Sequence, residues 1–174
     1  IKSLLDLIRF DKPIGFTLLM WPCWFALASL PLTLFDNLKW YIFFFVGSFL
    51  MRSAGCIIND LVDIKIDKEV ERTSQRPLVI KSVKISEAII FLFILLTLSL
   101  LVLLQFNLNS IIIGLLSVPF VILYPYMKRF TYWPQLVLGI IFNWGVLIVS
   151  MQFNGYISIS SLMLYLGCIF WTLG

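Results

Sequence analysis

The chain has 174 residues, of which 61% are hydrophobic and only 13% are charged, and its mean hydropathy is +1.02. A soluble domain is about half apolar and a quarter charged, so this composition excludes an ordinary soluble protein and indicates a membrane protein. The sequence contains no histidine. This excludes imidazole base catalysis and histidine-ligated metals for these residues.

Long apolar windows follow one another along the chain, and a membrane-spanning helix needs about 20 mostly apolar residues. The windows cover residues 14–34, 39–58, 88–105, 111–126, 135–153 and a last segment that begins near residue 161. They predict an all-α fold, namely a polytopic transmembrane helix bundle. Because the chain starts with Ile1 and the last window stops at Gly174, we expect it to be part of a longer protein.

The basic residues lie almost entirely in alternate loops between these windows. They occur before the first window, between the second and third, and between the fourth and fifth, whereas the intervening loops carry only Lys39. Arg52 lies inside the second window. The positive-inside rule makes the basic segments cytoplasmic. The net charge of +4 therefore reflects membrane topology, and no nucleic-acid partner is expected.

The second window runs directly into a highly charged segment, "GCIINDLVDIKIDKEVERTSQRPL" (55–78). If the helix continues past residue 58, Arg52, Asn59 and Asp63 fall within about 40° of one another, with Asp60 and Asp67 somewhat to one side. Clustered carboxylates repel one another unless a cation neutralises them. Oxygen donors of this kind suit Mg²⁺, which often completes its coordination shell with substrate phosphates.

Two arginines follow the acids at helical spacing. Arg72 and Arg76 are four residues apart, and Pro77 ends any helix there. The planar guanidinium fork matches phosphate oxygens, so acids and arginines together indicate a diphosphate site. The alternative is a solvated cytoplasmic loop with surface ion pairs, which charge runs usually form. Arg52 weighs against that alternative, because an ionisable residue inside a span is costly and marks function by default.

"NDLVDIKID" (59–67) followed by "ERTSQRPL" (71–78) resembles the first Asp-rich motif of the UbiA superfamily of intramembrane aromatic prenyltransferases. "RFDKPIGFTLLMWPCWFAL" (9–27), "RSAGCIIND" (52–60) and "YPYMKRFTYWPQLVLG" (124–139) are similar to the 4-hydroxybenzoate polyprenyltransferase group in particular. The resemblance covers nearly the whole chain. It implies a bundle of about nine transmembrane helices around a central cavity, of which about six are visible here.

The resemblance also implies roles for individual residues. It implies a Mg²⁺ ion held by Asp60, Asp63 and Asp67, with Asp63 and Asp67 also catalytic. It implies substrate binding by Arg52, Asn59, Arg72, Arg76, Tyr124 and Lys128. Within this set, Arg52 is expected near the carboxylate of the aromatic acid, and Tyr124 and Lys128 near the diphosphate. A buried guanidinium needs an anionic partner, so the residue chemistry of Arg52 leads to the same expectation.

The sequence departs from the family pattern in one respect. A second Asp-rich motif, expected to face the first across the metal and the diphosphate, does not occur before Gly174. We therefore interpret residues 1–174 as the N-terminal portion of a single UbiA-type domain that stops before this motif. On this interpretation the chain alone is expected to be inactive.

The function expected for the whole protein is Mg²⁺-dependent transfer of a polyprenyl group from polyprenyl diphosphate to the ring of 4-hydroxybenzoate, in ubiquinone biosynthesis. The alternatives are another acceptor (a naphthoate, homogentisate or haem), a divalent-cation transporter, or a scaffold that binds anionic lipid. We expect an integral protein of the bacterial inner membrane with its Asp-rich loop in the cytoplasm; the mitochondrial inner membrane is the alternative.

Overall fold

The structure, a computed structural model, describes residues 2–31 and 33–174, except for the side chains of residues 34, 36, 37, 128 and 129. Within these ranges the regular structure is entirely α-helical. In chain order the helices are α1 (Lys2–Leu7), α2 (Ile14–Ala28), α3 (Leu34–Asp67), α4 (Ile85–Leu103), α5 (Leu108–Leu116), α6 (Val118–Phe130), α7 (Pro134–Phe142), α8 (Gly145–Asn154) and α9 (Ile159–Leu173). The predicted all-α fold is confirmed.

Four helical segments of the described chain are long and apolar enough to cross a membrane. They are Leu38–Asp67, Ile85–Leu103, Leu108–Met127 and Pro134–Asn154. These correspond to the second, third, fourth and fifth predicted windows. The first and last windows form α2 and α9, which are apolar helices of 15 residues each. Helix α2 is shorter than the predicted window of residues 14–34, whereas α9 begins two residues before the predicted start near residue 161.

Local sequence signals explain where several helices begin and end. The side chains of Asn107 and Ser158 accept hydrogen bonds from backbone N–H groups at the starts of α5 and α9, which is the usual role of these residue types as N-caps. Pro134 opens α7, where its missing N–H costs nothing. Gly155 ends α8 with φ 76°, in the left-handed region that favours glycine.

Helix α3 is the longest helix of the described chain and contacts α2, α4 and α6. It contains no proline and continues unbroken for 34 residues. The second helix therefore runs past the apolar window into the acidic segment, which is the condition on which the predicted alignment of Arg52, Asn59 and Asp63 depends. One buried apolar cluster joins α2, the first half of α3, α8 and α9. A second joins α1, the second half of α3 and α4.

The fourth and fifth windows are each interrupted once. Ser117 separates α5 from α6, just before Pro119. Residues 143–144 separate α7 from α8, and the side chain of Asn143 there donates hydrogen bonds to the Gly139 carbonyl (2.7 Å) and to Thr172 Oγ1 (3.2 Å). Trp144 Nε1 donates to the carbonyl of Ile113 at 2.9 Å. Interrupted membrane helices are stable where neighbouring helices bind the polar groups in this way.

Candidate active site

A cavity of about 660 Å³ lies in the middle of the bundle. Its walls come from α2 to α8 and are mostly apolar, with Leu, Phe and Val side chains along most of its length. The charged residues Arg9 and Arg52 line it together with Asn59 and Tyr124. The cavity therefore combines a long apolar interior with a small number of polar side chains.

An ion-pair cluster lies at the end of α3. Arg9 Nη2 is 2.8 Å from Asp60 Oδ1, and Arg76 Nη1 is 3.1 Å from the same oxygen. Arg76 Nη1 is also 2.5 Å from Asp67 Oδ2. Only 3% of the Asp60 side chain is exposed, so two arginines neutralise a carboxylate that is almost removed from solvent. A buried carboxylate needs such partners, since its desolvation cost is large.

The segment after α3 is held in place over part of its length. Thr73 is buried, and its hydroxyl donates to the carbonyl of Asp67 at 3.1 Å. The N–H of Arg76 donates to the carbonyl of Thr73 at 3.1 Å. Leu78 and Val83 are buried in the apolar cluster that includes α1. These contacts fix the backbone from which Arg76 reaches back to α3, whereas residues 68–72 of the same segment are exposed.

Arg9 approaches the cluster from the turn between α1 and α2. Its backbone has φ 57°, in the left-handed region that residues with a side chain rarely adopt. The Arg9 N–H donates to the carbonyl of Asp6, and the Arg9 carbonyl accepts from the N–H of Lys12. The chain therefore keeps an unfavourable backbone conformation at the residue whose guanidinium reaches Asp60.

Arg52 lies in the transmembrane part of α3 and lines the cavity. Its Nη1 donates to Cys56 Sγ at 2.6 Å. Its Nε is buried and has no hydrogen-bond partner among the described residues. None of the ion pairs formed within the described part of the chain involves this guanidinium. Among the residues that the structure describes, Arg52 is thus a cation within the membrane region that forms no ion pair with a carboxylate.

The structure brings the predicted site residues into two groups. Asp60, Asp67 and Arg76 form the ion-pair cluster, and Arg52, Asn59 and Tyr124 line the cavity beside it. Asp63 is half-buried on the same helix, but it is not part of the cavity wall.

Two predicted residues are not placed in either group. The side chain of Arg72 is exposed and takes no part in the ion-pair cluster, so the structure does not bring it together with Arg76 as a clamp. The side chain of Lys128 falls outside the described residues, although its backbone belongs to α6.

Sequence reasoning missed Arg9 and Thr73 as parts of this site. Arg9 is separated from its partner Asp60 by 51 positions, and no local pattern links the two. The one available signal was an arginine just before an apolar helix, which is equally typical of a membrane anchor. Thr73 gave no signal, because a threonine between charged residues is ordinary in a turn.

The oxygen atoms in the cluster fit a divalent cation in part. Asp60 Oδ1 and Asp67 Oδ2 contact the same nitrogen of Arg76, so both oxygens lie within reach of a single cation. Carboxylate oxygens are the donors that Mg²⁺ prefers. Within the described residues, however, no three Asp, Glu, His or Cys side chains converge as a complete ligand set. In the described structure the two carboxylate oxygens contact Arg76, and a Mg²⁺ site at Asp60 and Asp67 stays a prediction.

These features define a polytopic helical membrane protein with an internal apolar cavity and a cluster of acids and arginines next to its polar wall. The match to protein families gives the particular assignment. The chain belongs to the UbiA prenyltransferase family, whose pattern matches residues 19–174. The resemblance found in the motifs is thereby confirmed.

Named relatives match the chain over almost all of its length. It is 46% identical to the mitochondrial 4-hydroxybenzoate polyprenyltransferase of Caenorhabditis elegans, over 99% of this chain and 49% of the relative. The Drosophila melanogaster protein of the same name is also 46% identical, over 99% of this chain and 44% of the relative. The 4-hydroxybenzoate octaprenyltransferase of Pseudomonas savastanoi pv. phaseolicola is 40% identical, over 98% and 57%. The chain spans about half the length of these relatives.

Two solved structures share the fold. One comes from a study of digeranylgeranylglyceryl phosphate synthase in membranes and superposes with a TM-score of 0.76 at 23% identity, over 99% of this chain and 59% of that one. The other is the apo structure of a UbiA homolog from Aeropyrum pernix K1, with a TM-score of 0.69 at 20% identity, over 99% and 60%. At these identities the similarity supports the helical arrangement alone.

Proposed function

We propose that the protein carrying this chain transfers a polyprenyl group from polyprenyl diphosphate to the ring of 4-hydroxybenzoate, in ubiquinone biosynthesis. One structural observation carries the proposal: a mostly apolar cavity is lined by Arg52, which is half-buried and forms no ion pair among the described residues, and the cavity lies beside clustered acids and arginines. The names of the relatives supply the substrate class.

The donor fits the two parts of the site. The apolar interior suits an isoprenoid chain, and the ion-pair cluster suits a diphosphate. In the reaction the allylic C–O bond breaks and its electron pair leaves with the diphosphate. Arg76 carries positive charge at this end and would stabilise the departing anion. Arg9 lines the cavity and is part of the same cluster, so its positive charge would also stabilise the departing diphosphate.

The acceptor fits Arg52. A carboxylate can accept two parallel N–H donors from one guanidinium, which orients an aromatic acid as well as binding it. The new C–C bond would form at the ring carbon ortho to the hydroxyl, and that carbon then loses a proton. Asp63 is our candidate for accepting this proton. The apolar walls would exclude water, which otherwise converts the allylic cation to an alcohol.

A divalent metal belongs to this proposal through the donor set described above. Asp60 and Asp67 would hold Mg²⁺, with Asp63 as a further predicted ligand. When bound, the ion would neutralise charge on the leaving diphosphate. Asn59, Arg72, Tyr124 and Lys128 stay predicted contacts of the substrates.

The compartment also stays a prediction. The named relatives include both mitochondrial and bacterial proteins. The bacterial inner membrane is the location we propose, with the mitochondrial inner membrane as the alternative.

The test uses membranes that contain the full-length protein, incubated with 4-hydroxybenzoate, a polyprenyl diphosphate and Mg²⁺. Chromatography and mass spectrometry then identify the products. We expect a prenylated acid that disappears when EDTA is added, and a higher acceptor KM in the Arg52→Ala variant. Vesicles of the same composition without the protein serve as the control.

Three other outcomes would contradict parts of the proposal. Diphosphate and prenyl alcohol without prenylated acid would indicate a different acceptor. Unchanged turnover in EDTA would remove the metal from the proposal. Transport of Mg²⁺ across the bilayer without any prenyl transfer would support the transporter alternative instead.

A further inference from the structure

Gly15 lies in α2 at a position where the backbone conformation does not require a glycine. It belongs to the first turn of the helix, and its φ does not lie in the positive range that favours glycine. A glycine within a helix costs up to about 1 kcal/mol relative to alanine. Gly15 also lines the central cavity. The reason for a glycine at this position must therefore be the space beside it.

That space is taken by the guanidinium of Arg52. A Cβ built on Gly15 would overlap Arg52 Nε, and it would lie 2.8 Å from Nη2 and 3.0 Å from Cζ. Its three nearest neighbours are thus all atoms of one guanidinium. Nε and Nη2 form the edge of this group that presents two parallel N–H donors. A side chain at position 15 would stand against the donor edge.

This edge includes the one Arg52 nitrogen that is buried without a partner among the described residues, Nε. Nη1, on the other edge, donates to Cys56 Sγ. A buried polar group without a hydrogen bond costs about 1–3 kcal/mol of stability. A ligand oxygen that accepts a hydrogen bond from Nε would remove this cost, so the edge is suited to bind one.

We propose that the absence of a side chain at Gly15 keeps the Nε–Nη2 edge of Arg52 available for the carboxylate of the aromatic acceptor. Gly15 is then a positioning residue that determines specificity for an acid through Arg52. This inference rests on the proposed function and adds to it the reason for a glycine in the "DKPIG" segment. An alanine at position 15 must either block the donor edge or displace the guanidinium.

The substitution Gly15→Ala isolates this effect well. The atoms that a new methyl group would meet belong to the end of a flexible side chain, so the guanidinium can move without disrupting the backbone. Gly167→Ala is the matched control. Gly167 is also a helical glycine, in α9, but a Cβ there would have nothing within 4 Å, and Gly167 does not line the central cavity.

The experiment uses the full-length protein in lipid nanodiscs. Titration calorimetry measures the Kd of 4-hydroxybenzoate and of its uncharged analogue 4-hydroxybenzamide, and turnover assays give KM for acceptor and donor. We expect Gly15→Ala to weaken binding of the acid about 10- to 100-fold, the range of a charge-assisted hydrogen bond. Binding of the amide and the donor KM should change less than about twofold. Gly167→Ala should leave every value unchanged.

The variants Arg52→Ala and Gly15→Ala/Arg52→Ala test whether Gly15 acts through Arg52. We expect the double variant to bind the acid no more weakly than Arg52→Ala alone, since two changes to one interaction are not additive. A further loss in the double variant would overturn the inference. A Gly15→Ala variant that binds the acid normally while Arg52→Ala does not would also overturn it, but would leave the proposed function standing.

Failure of the proposed function would give a different result. Wild-type protein that neither binds 4-hydroxybenzoate nor prenylates it would contradict the acceptor, and with it the inference. Normal binding of the acid by both Gly15→Ala and Arg52→Ala would reject the guanidinium as its contact. Melting temperatures of all variants, measured alongside, should agree with that of the wild type, and a large drop in Gly15→Ala would show a structural role instead.

Discussion

Arg9 has two opposite effects on stability, and substitutions can separate them: its ion pair stabilises the fold and its backbone conformation destabilises it. Its guanidinium is an ion-pair partner of the buried Asp60, and its backbone has φ 57°. Arg9→Ala removes the ion pair and keeps the unfavourable backbone conformation. Arg9→Gly removes the ion pair and relieves the backbone. Lys81→Gly is the matched control, because Lys81 is exposed, has φ 59° and forms no ion pair among the described residues.

The magnitudes follow from the contacts. Breaking a buried pair costs about 3–5 kcal/mol when the remaining charge has no partner. Asp60 keeps Arg76 at 3.1 Å, and 27% of the Arg9 side chain is exposed, so the loss should be smaller. We expect Arg9→Ala to lower the free energy of unfolding by about 2 kcal/mol, the range of a charge-assisted hydrogen bond. A glycine at a left-handed position avoids the steric cost of a side chain there, which should raise the free energy of unfolding by about 1 kcal/mol.

Equilibrium unfolding of the detergent-solubilised protein, followed by circular dichroism, provides the measurement. Arg9→Gly should lose about 1 kcal/mol, and Lys81→Gly should gain about 1 kcal/mol. In an Asp60→Asn background, Arg9→Ala should cost clearly less than in the wild type, because the pair is already broken. An equal loss in both backgrounds would show that Arg9 does not act through Asp60, and the reasoning would be refuted.

Three further substitutions test other contacts, each by thermal or chemical denaturation. Arg76→Gln removes the cation shared by two carboxylates and should lower stability by about 2–3 kcal/mol, with partial recovery in Arg76→Lys; equal losses in the two would contradict a role for charge. Gly145→Ala should cost about 1–3 kcal/mol, because the new Cβ would overlap Cys23 Sγ. Adding Cys23→Ala should recover most of that loss, and no recovery would place the strain elsewhere. Thr73→Val should cost about 1–2 kcal/mol and speed deuterium exchange in residues 68–84, since it loses the bond to the Asp67 carbonyl, whereas Thr73→Ser should keep it.

The sequence was sufficient to predict the helical class and most helix positions. Apolar length is a strong local signal for a membrane helix. The continuation of α3 through the acids was assumed and not predicted. The interruptions at Ser117 and Asn143 were not predicted. Their stability depends on contacts from other helices, such as the bond between Trp144 Nε1 and the Ile113 carbonyl, and hydropathy does not contain this information.

The candidate site was predicted where it lies on one helix. Helical periodicity related Arg52, Asn59 and Asp63, with Asp60 to one side. Arg52 and Asn59 do line the cavity, whereas Asp63 is not part of its wall. Arg72 was paired with Arg76 on the assumption of a helix after Asp67, but that segment consists of turns, so the two side chains separate. The contribution of Arg9 depends on the packing of α1 against α3, which no short-range pattern reveals.

Because α3 is one continuous helix, it fixes the distance between the backbones of the residues that it carries. At 1.5 Å per residue, the eight residues from Arg52 to Asp60 separate the two functional groups by roughly 12 Å along the axis. If the proposed function is right, this spacing sets how far the aromatic acid at Arg52 lies from the diphosphate at the ion-pair cluster. The turns that carry Arg9 and Arg76 supply the other half of the ion-pair cluster, so a shift of either turn would change the cluster without changing this spacing.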